Sequence, residues 1–197
     1  MLRRSEDLFL EKIYFAVASK IKEAIEKVEQ GSHDEAWQAL APLVAKEDKA
    51  AIYYMSTFSV PGESLEHFEK RRIEQLKRSA EYGYAPAIHE LAIHYDSGEL
   101  VPRDIEKAAK LFRQAAEKGH PHAQWIHGLD LIYGRNGIEK NEKLGVEYLE
   151  RSAKAKFIGA LESVSGFYEN GMHGYPVDKK KARFFREKAD GDDVIGY

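Results

Sequence analysis

Cysteine is absent from the 197 residues. A disulfide framework, a thiol nucleophile and a cysteine-ligated zinc are therefore excluded. The absence suits a reducing compartment, and a cytoplasmic location is the expectation. Long apolar runs are also missing. Nothing approaches the roughly 18 residues of a membrane span, so no membrane association is expected. The opening MLRRSEDLFLEKIYF is broken by Ser5, Glu6, Asp7, Glu11 and Lys12 and does not read as a signal peptide. Charge of one sign is lacking too. Thirty basic and 33 acidic residues leave a net charge of −3, without the basic excess of a nucleic-acid binder. No Gly-x-Ser-x-Gly elbow, phosphate loop or dinucleotide fingerprint occurs. Strand alternation is nearly absent.

What is present is helical periodicity. Leu8, Phe9, Ile13, Val17, Ile21, Ile25 and Val28 recur at spacings of three and four. That pattern predicts one long amphipathic helix from an N-cap at Ser5 to about Gln30. Ala36, Trp37, Leu40, Leu43 and Val44 form the face of a second helix, in which Pro42 lies. The run from Ala50 to about Ser59 reads as a short helix, and Ser64 caps a charged one that ends near Gly83. Six more segments follow in hairpin pairs up to Ala189, punctuated by Gly98, Gly119, Gly134 and Gly171.

The pairs repeat. Ala50, Ala87, Ala123 and Ala160 are separated by 37, 36 and 37 residues. Phe58, Tyr95, Leu131 and Tyr168 follow them at a constant offset, and Gly62, Gly98, Gly134 and Gly171 close the first helices. In the second helices the small pairs Ser79-Ala80, Ala115-Ala116 and Ser152-Ala153 recur at the same period. A fixed period in this range signals stacked helical hairpins, each burying a face that it cannot bury alone.

With Ala87, Leu91, Tyr95, Gly98, Val101, Asp104, Lys107, Ala108, Ala115, Ala116 and Gly119 in one copy, the chain resembles the Sel-1-like repeat family, relatives of tetratricopeptide repeats. The last copy matches at Ala160, Tyr168, Gly171, Val177, Asp178, Lys181 and Ala182. Departures are Ala92 and Ser165 where glycine is usual and His127 where leucine is usual. The resemblance implies an all-α, right-handed α-α superhelix, or solenoid, of about three and a half hairpin repeats. The expected division is a capping helix over residues 1–31, an array over 32–190 and a flexible tail over 191–197.

By analogy with tetratricopeptide repeats, the first helices line a concave face. The positions two, six, nine and ten after each marker alanine would point into it. The candidate partner-binding residues are Ile52, His89, Ile93, Asp96, Trp125, Leu129, Ile132, Tyr133, Glu162 and Glu169. An apolar centre with tryptophan and tyrosine, rimmed by acids, suits a protein partner. The alternative is that tight winding or the N-terminal helix buries these side chains.

Histidines give no metal expectation. His89 and His94 are five apart and do not share a helix face as an i, i+4 pair would. His120 and His122 flank Pro121 in an expected loop, and His127 is expected to face the core. Arg71, Arg72, Lys77 and Arg78 read as a solvated cluster on a second helix, as do Lys179 to Lys181, Arg183 and Arg186. No cofactor is expected.

The expectation is thus a non-enzymatic module that binds a protein through its concave face. The resemblance implies an adaptor or an immunity-type binder, with a cognate toxin or effector as one partner class. Two alternatives remain: a hydrolase pairing Glu162 with Glu169, or Asp96 with His89, as acid and base, and a self-associating scaffold built on the N-terminal helix.

Overall fold

A computed structural model describes residues 2–196, with side chains from Phe15 onward. Among these residues the regular elements are ten helices packed in sequence order as hairpins. They are α1 (Leu2–Glu29), α2 (His33–Val44), α3 (Lys49–Met55), α4 (Leu65–Glu81), α5 (Ala85–Ser97), α6 (Ile105–Glu117), α7 (Pro121–Tyr133), α8 (Glu142–Lys154), α9 (Ile158–Asn170) and α10 (Lys179–Ala189). Contacts divide the chain into two compact units, Met1–Ala87 and Ile88–Tyr197.

In the first unit α1 lies against α2 and α3. Ile21 and Ala24 are buried with Ala36, Leu40, Leu43, Ala51, Met55 and Phe58, while Val17, Ile25 and Val28 pack on that cluster. The expected inward residues Leu8, Phe9 and Ile13 lie outside the described side chains. Ser5 falls inside α1 rather than at its start.

α3 is shorter than its apolar run suggests, and the reason is local. Ser56 Oγ and Thr57 Oγ1 donate back to the carbonyls of Tyr53 and Tyr54, at 2.6 and 2.8 Å. Arg71 then takes the carbonyls of Met55 and Phe58, at 2.6 and 2.9 Å. With these acceptors satisfied by side chains, further helical turns gain nothing. Arg71 is therefore no member of a solvated cluster. Its side chain is only 18% exposed and forms a fork with Glu63, at 2.7 Å through both Nε and Nη2.

The same region corrects the repeat register. Ala51 is fully buried, as are Ala87, Ala123 and Ala160, whereas Ala50 is not. Caps and clamps agree. Asp48 accepts from the amide of Ala51 and His120 from that of Ala123. Ser79 Oγ donates to Lys49 O and Ser152 Oγ to Pro121 O, both at 2.7 Å. The structural marker is thus Ala51, 36 residues before Ala87.

In the second unit each second helix starts on a side-chain cap. Asp104, Asn141 and Asp178 accept amides at 2.9, 3.1 and 3.0 Å. The preceding turns need glycine. Gly98 has φ +77°, and a Cβ there would sit 2.9 Å from Arg103 Cβ. α7 and α8 approach most closely where Gly128 faces Gly145, since a Cβ on Gly145 would lie 2.6 Å from Gly128 O. Ile132, Leu149, Val164 and Phe167 fill the core alongside. In the segment 191–197, expected to be a flexible tail, the described residues 191–196 return to the fold. Ile158 N donates to Ile195 O at 3.0 Å and Ile195 N to Lys156 O at 2.9 Å, with Lys156 paired to Asp193. Phe157 at the N-cap of α9 supplies no side-chain acceptor, and the carbonyl of Ile195 takes the Ile158 amide instead.

Candidate functional site

The first helices of the second unit are joined through polar and aromatic contacts. His89 Nε2 of α5 and His122 Nδ1 of α7 share a hydrogen bond of 3.0 Å, one nitrogen donating and the other accepting. Trp125 Nε1 of α7 donates to Ser163 Oγ of α9 at 3.0 Å. Between these bonds runs a stack of rings. His120 lies on His89, with centroids 4.1 Å apart, and His122 lies on Phe157, at 4.8 Å, with Trp125 tilted beside both His122 and Phe157. Burial pushes His89 down to about 3, and the neighbouring His120 and His122 add to the effect. His120 is pushed down to about 4 by burial and then by His122, and burial lowers His122 as well. These rings are neutral at pH 7 and act as flat, polar-edged packing groups.

The histidine pattern differs from the sequence expectation in one respect. His120 and His122 do not occupy a loop: His120 is the N-cap of α7 and His122 lies in its first turn, because Pro121 takes the first helical position, where its missing N–H costs nothing. His127 is buried as expected, with burial and Arg113 pushing it down to about 4.

The ten candidate residues separate by exposure. Ile93 and Tyr133 are 37% and 47% exposed, and Asp96, Glu162 and Glu169 are exposed as well. His89, Trp125 and Leu129 are half-buried. Ile52 and Ile132 are fully buried and offer no surface. Ile52 fails through the register slip, since it is equivalent to the buried Ile88, Gln124 and Leu161 rather than to His89. Ile132 fails because the close approach of α8 at Gly145 brings it into the core, where a Cβ on that glycine would meet Ile132 Cγ1 at 2.7 Å.

Partners on the surface are specific. Tyr133 OH lies 3.4 Å from His173 Nε2, with Arg135 over its ring at 5.3 Å. Arg186 Nη2 donates to Glu169 at 2.7 Å. Asp130, which no sequence motif singles out, is buried on α7 and accepts from Asn136 Nδ2 at 3.1 Å, while burial raises its carboxyl above the ordinary range. It holds the α7–α8 turn, a structural task.

One charge pattern becomes visible only when helices are grouped by position. α5, α7 and α9 carry Glu90, Asp96, Asp130, Glu162 and Glu169 and contain no lysine or arginine. The lysines and arginines of this unit are on α6, α8, α10 and the connecting loops. Of these acids Asp96, Glu162 and Glu169 are exposed, beside the apolar Ile93, Trp125, Leu129 and Tyr133.

The first unit has its own apolar groove, of about 730 Å³, lined by Val17, Ile21 and Ile25 of α1 and by Ala50, Tyr54 and Tyr84. Among the described residues no group of three or more histidine or acidic side chains is arranged to hold a metal ion. Among the same residues no helix is long and apolar enough to cross a membrane.

The Sel1 repeat model matches residues 85–120, 121–157 and 163–189. The chain belongs to the Sel1 repeat family. A Sel1 repeat protein from Oxalobacter formigenes has the same fold, with a TM-score of 0.73 at 20% identity over 88% of this chain and 72% of that one. A protective antigen of uropathogenic Escherichia coli with an SLR fold gives a TM-score of 0.64 at 25% identity, covering 78% of this chain and 32% of that one. Among curated proteins, chitin synthase regulatory factor 2 of Schizosaccharomyces pombe is 26% identical over 143 residues, which is 72% of this chain and 25% of the factor. Chitin synthase regulatory factor 4 of the same yeast is 28% identical over 180 residues, 82% of this chain and 28% of the factor. The chain thus spans about a quarter of the length of these two relatives. The three matched Sel1 repeats are the hairpins α5–α6, α7–α8 and α9–α10. α3–α4 packs as a hairpin too, but its first helix stops early at Ser56.

Proposed function

We propose that this Sel1 repeat protein is a non-enzymatic, regulatory binder of another protein, and that it makes contact through the face formed by α5, α7 and α9. The observation that carries this reading is the combination on that face of the exposed Ile93 and Tyr133 with half-buried Trp125 and Leu129, rimmed by acids. Apolar side chains held open by their own packing are what binding anchors require. Trp125 is fixed by Ser163 and by two ring neighbours, so little conformational entropy remains to be lost on binding. The relatives that are regulatory factors of chitin synthase support regulation by contact rather than by catalysis.

One member of each acid–base pairing expected from sequence is engaged elsewhere. Glu169 is engaged with Arg186, and His89 with His122 and the His120 ring. Its depressed basicity makes His89 a poor proton acceptor at neutral pH. A toxin-neutralising role is a special case of the same binding reading, and a cytoplasmic setting belongs to the proposal.

The test is Trp125→Ala combined with Leu129→Ala, assayed by affinity capture from native lysate with quantitative mass spectrometry. The expected result is loss of the specific interactors by tenfold or more, with the far-ultraviolet circular dichroism spectrum retained. An unchanged interactor set would remove this face from consideration.

A further inference from the structure

The residue at the centre of each first helix in the second unit is Ile93, then Leu129, then Gly166, at intervals of 36 and 37. Gly166 has no reason within the molecule to be glycine. It lies mid-helix in α9, where glycine is the poorest choice after proline. Its φ is not in the left-handed region, and a Cβ built on it would meet nothing within 4 Å. Gly128 and Gly145 form the contrast, for there a Cβ would strike backbone at 2.9 and 2.6 Å. The missing side chain at Gly166 leaves a bare step in the face, where the two preceding repeats carry Ile93 and Leu129. Around it, Glu162 precedes by one turn, and Asn170 follows by one turn with its Nδ2 bonded to the Gly166 carbonyl at 2.9 Å. On the side of α7, Trp125 is tied to α9 through Ser163, and Leu129 packs on the cluster that contains Val164 and Phe167.

We infer that Gly166 is the floor of a subsite that accepts one large apolar side chain, aromatic or leucine, from a protein partner whose neighbouring residues include lysine or arginine. This rests on the binding reading above and specifies the partner's chemistry. The apolar anchor follows from the open space over Gly166 and from Trp125 and Leu129 on the neighbouring α7, which meet α9 at Ser163 and at the cluster of Val164 and Phe167. The basic neighbour follows from α5, α7 and α9 bearing acids and no lysine or arginine, with Asp96 and Glu162 exposed. A helix-forming side chain at 166 would stabilise the free protein and close the step, which is the physical reason for glycine to stand there.

The experiment uses the full chain and a random 16-residue peptide library displayed on phage. Selected peptides are expected to share an aromatic residue or leucine within four positions of lysine or arginine. A synthetic peptide of the consensus should bind Gly166→Leu at least tenfold more weakly than the unsubstituted protein. Gly166→Ala keeps folding out of question: its melting temperature should rise while its affinity for the same peptide falls threefold or more. Glu162→Gln should weaken the peptide and flatten its salt dependence. The proposal is overturned if no peptide is enriched, if the enriched peptides are acidic, or if Gly166→Leu and Gly166→Ala bind as well as the unsubstituted protein. Peptides lost on Trp125→Ala with Leu129→Ala but indifferent to residue 166 would overturn the subsite alone. Peptides indifferent to all of these changes would overturn the face as well.

Discussion

Removing Arg71 should unfold the first unit's hairpin loop at a cost set by what the guanidinium leaves behind. Arg71 makes five hydrogen bonds: two to the Glu63 carboxylate, one each to the carbonyls of Met55 and Phe58, and one to Gln75 Oε1. Its cation also lies over Trp37 and Phe68, at 5.1 and 5.4 Å. The Glu63 side chain is 11% exposed, so Arg71→Ala strands a partly buried carboxylate and two carbonyls. Breaking one side of such a pair costs about 3–5 kcal/mol. At about 2–4 °C per kcal/mol for a chain of this size, the midpoint should fall by about 10 °C. Arg71→Lys should recover only a fraction, because an ammonium cannot satisfy both carboxylate oxygens and two carbonyls at once. Urea denaturation followed at 222 nm would measure the loss, and a double-mutant cycle with Glu63→Leu would isolate the coupling, expected at about 2 kcal/mol or more. The hydrogen bond from Arg71 holds Glu63 below its ordinary range. The stability this contributes is complete above the unfolded value and is lost as pH falls through the lowered native value. A cost for Arg71→Ala below about 1 kcal/mol would put the pair in the solvated class and refute the reasoning.

Two other perturbations test the second unit. Gly145→Ala exchanges a poor helix former for the best one, yet its Cβ would lie 2.6 Å from Gly128 O and 2.9 Å from Ile132 N. Backbone cannot swing aside, so the variant should lose about 1–3 kcal/mol, read as a lower urea midpoint; a gain would show that the α7–α8 approach is looser than described. Acidification should act through the histidines. His89 is pushed down to about 3 by burial, so the unfolded chain takes up its proton first, below its ordinary value of 6.5. Stability is whole above pH 6.5 and falls as pH drops toward 3, by about 2 kcal/mol from His89 at pH 5. The decline between pH 6.5 and 5 should be shallower in His89→Phe, and equal slopes for the two proteins would overturn the assignment.

The repeat was legible in the sequence because its signals are local. A small residue is needed wherever one helix must touch the next, and a glycine wherever a first helix reverses. Asp104 and Asp178 stand in the residues because a helix start needs an acceptor for its free amides. The first copy was misread by one residue because Ala50 and Ala51 are adjacent and identical. Only burial and the hydrogen bonds to Lys49 and Ala51 distinguish them. That slip carried Ile52 onto the candidate face. Arg71 was placed in solvent for a related reason. Nothing in a run of basic residues says which one will meet a helix end with unpaired carbonyls.

Period, helix ends and the small-residue seams are properties of consecutive residues, and the sequence by itself determined them, together with the absence of thiol chemistry. Tertiary structure decided what depends on distance between segments. It buried Ile132 while leaving Asp96, its equivalent in α5, exposed, because α7 meets its partner helix at a pair of glycines that draws Ile132 into the core. It turned His89, His120 and His122 from a scattered set into one neutral stack. It also left Asp96, Glu162 and Glu169 exposed, and left open space over Gly166, which the repeat spacing aligns with Ile93 and Leu129 but whose surroundings depend on segments distant in the chain.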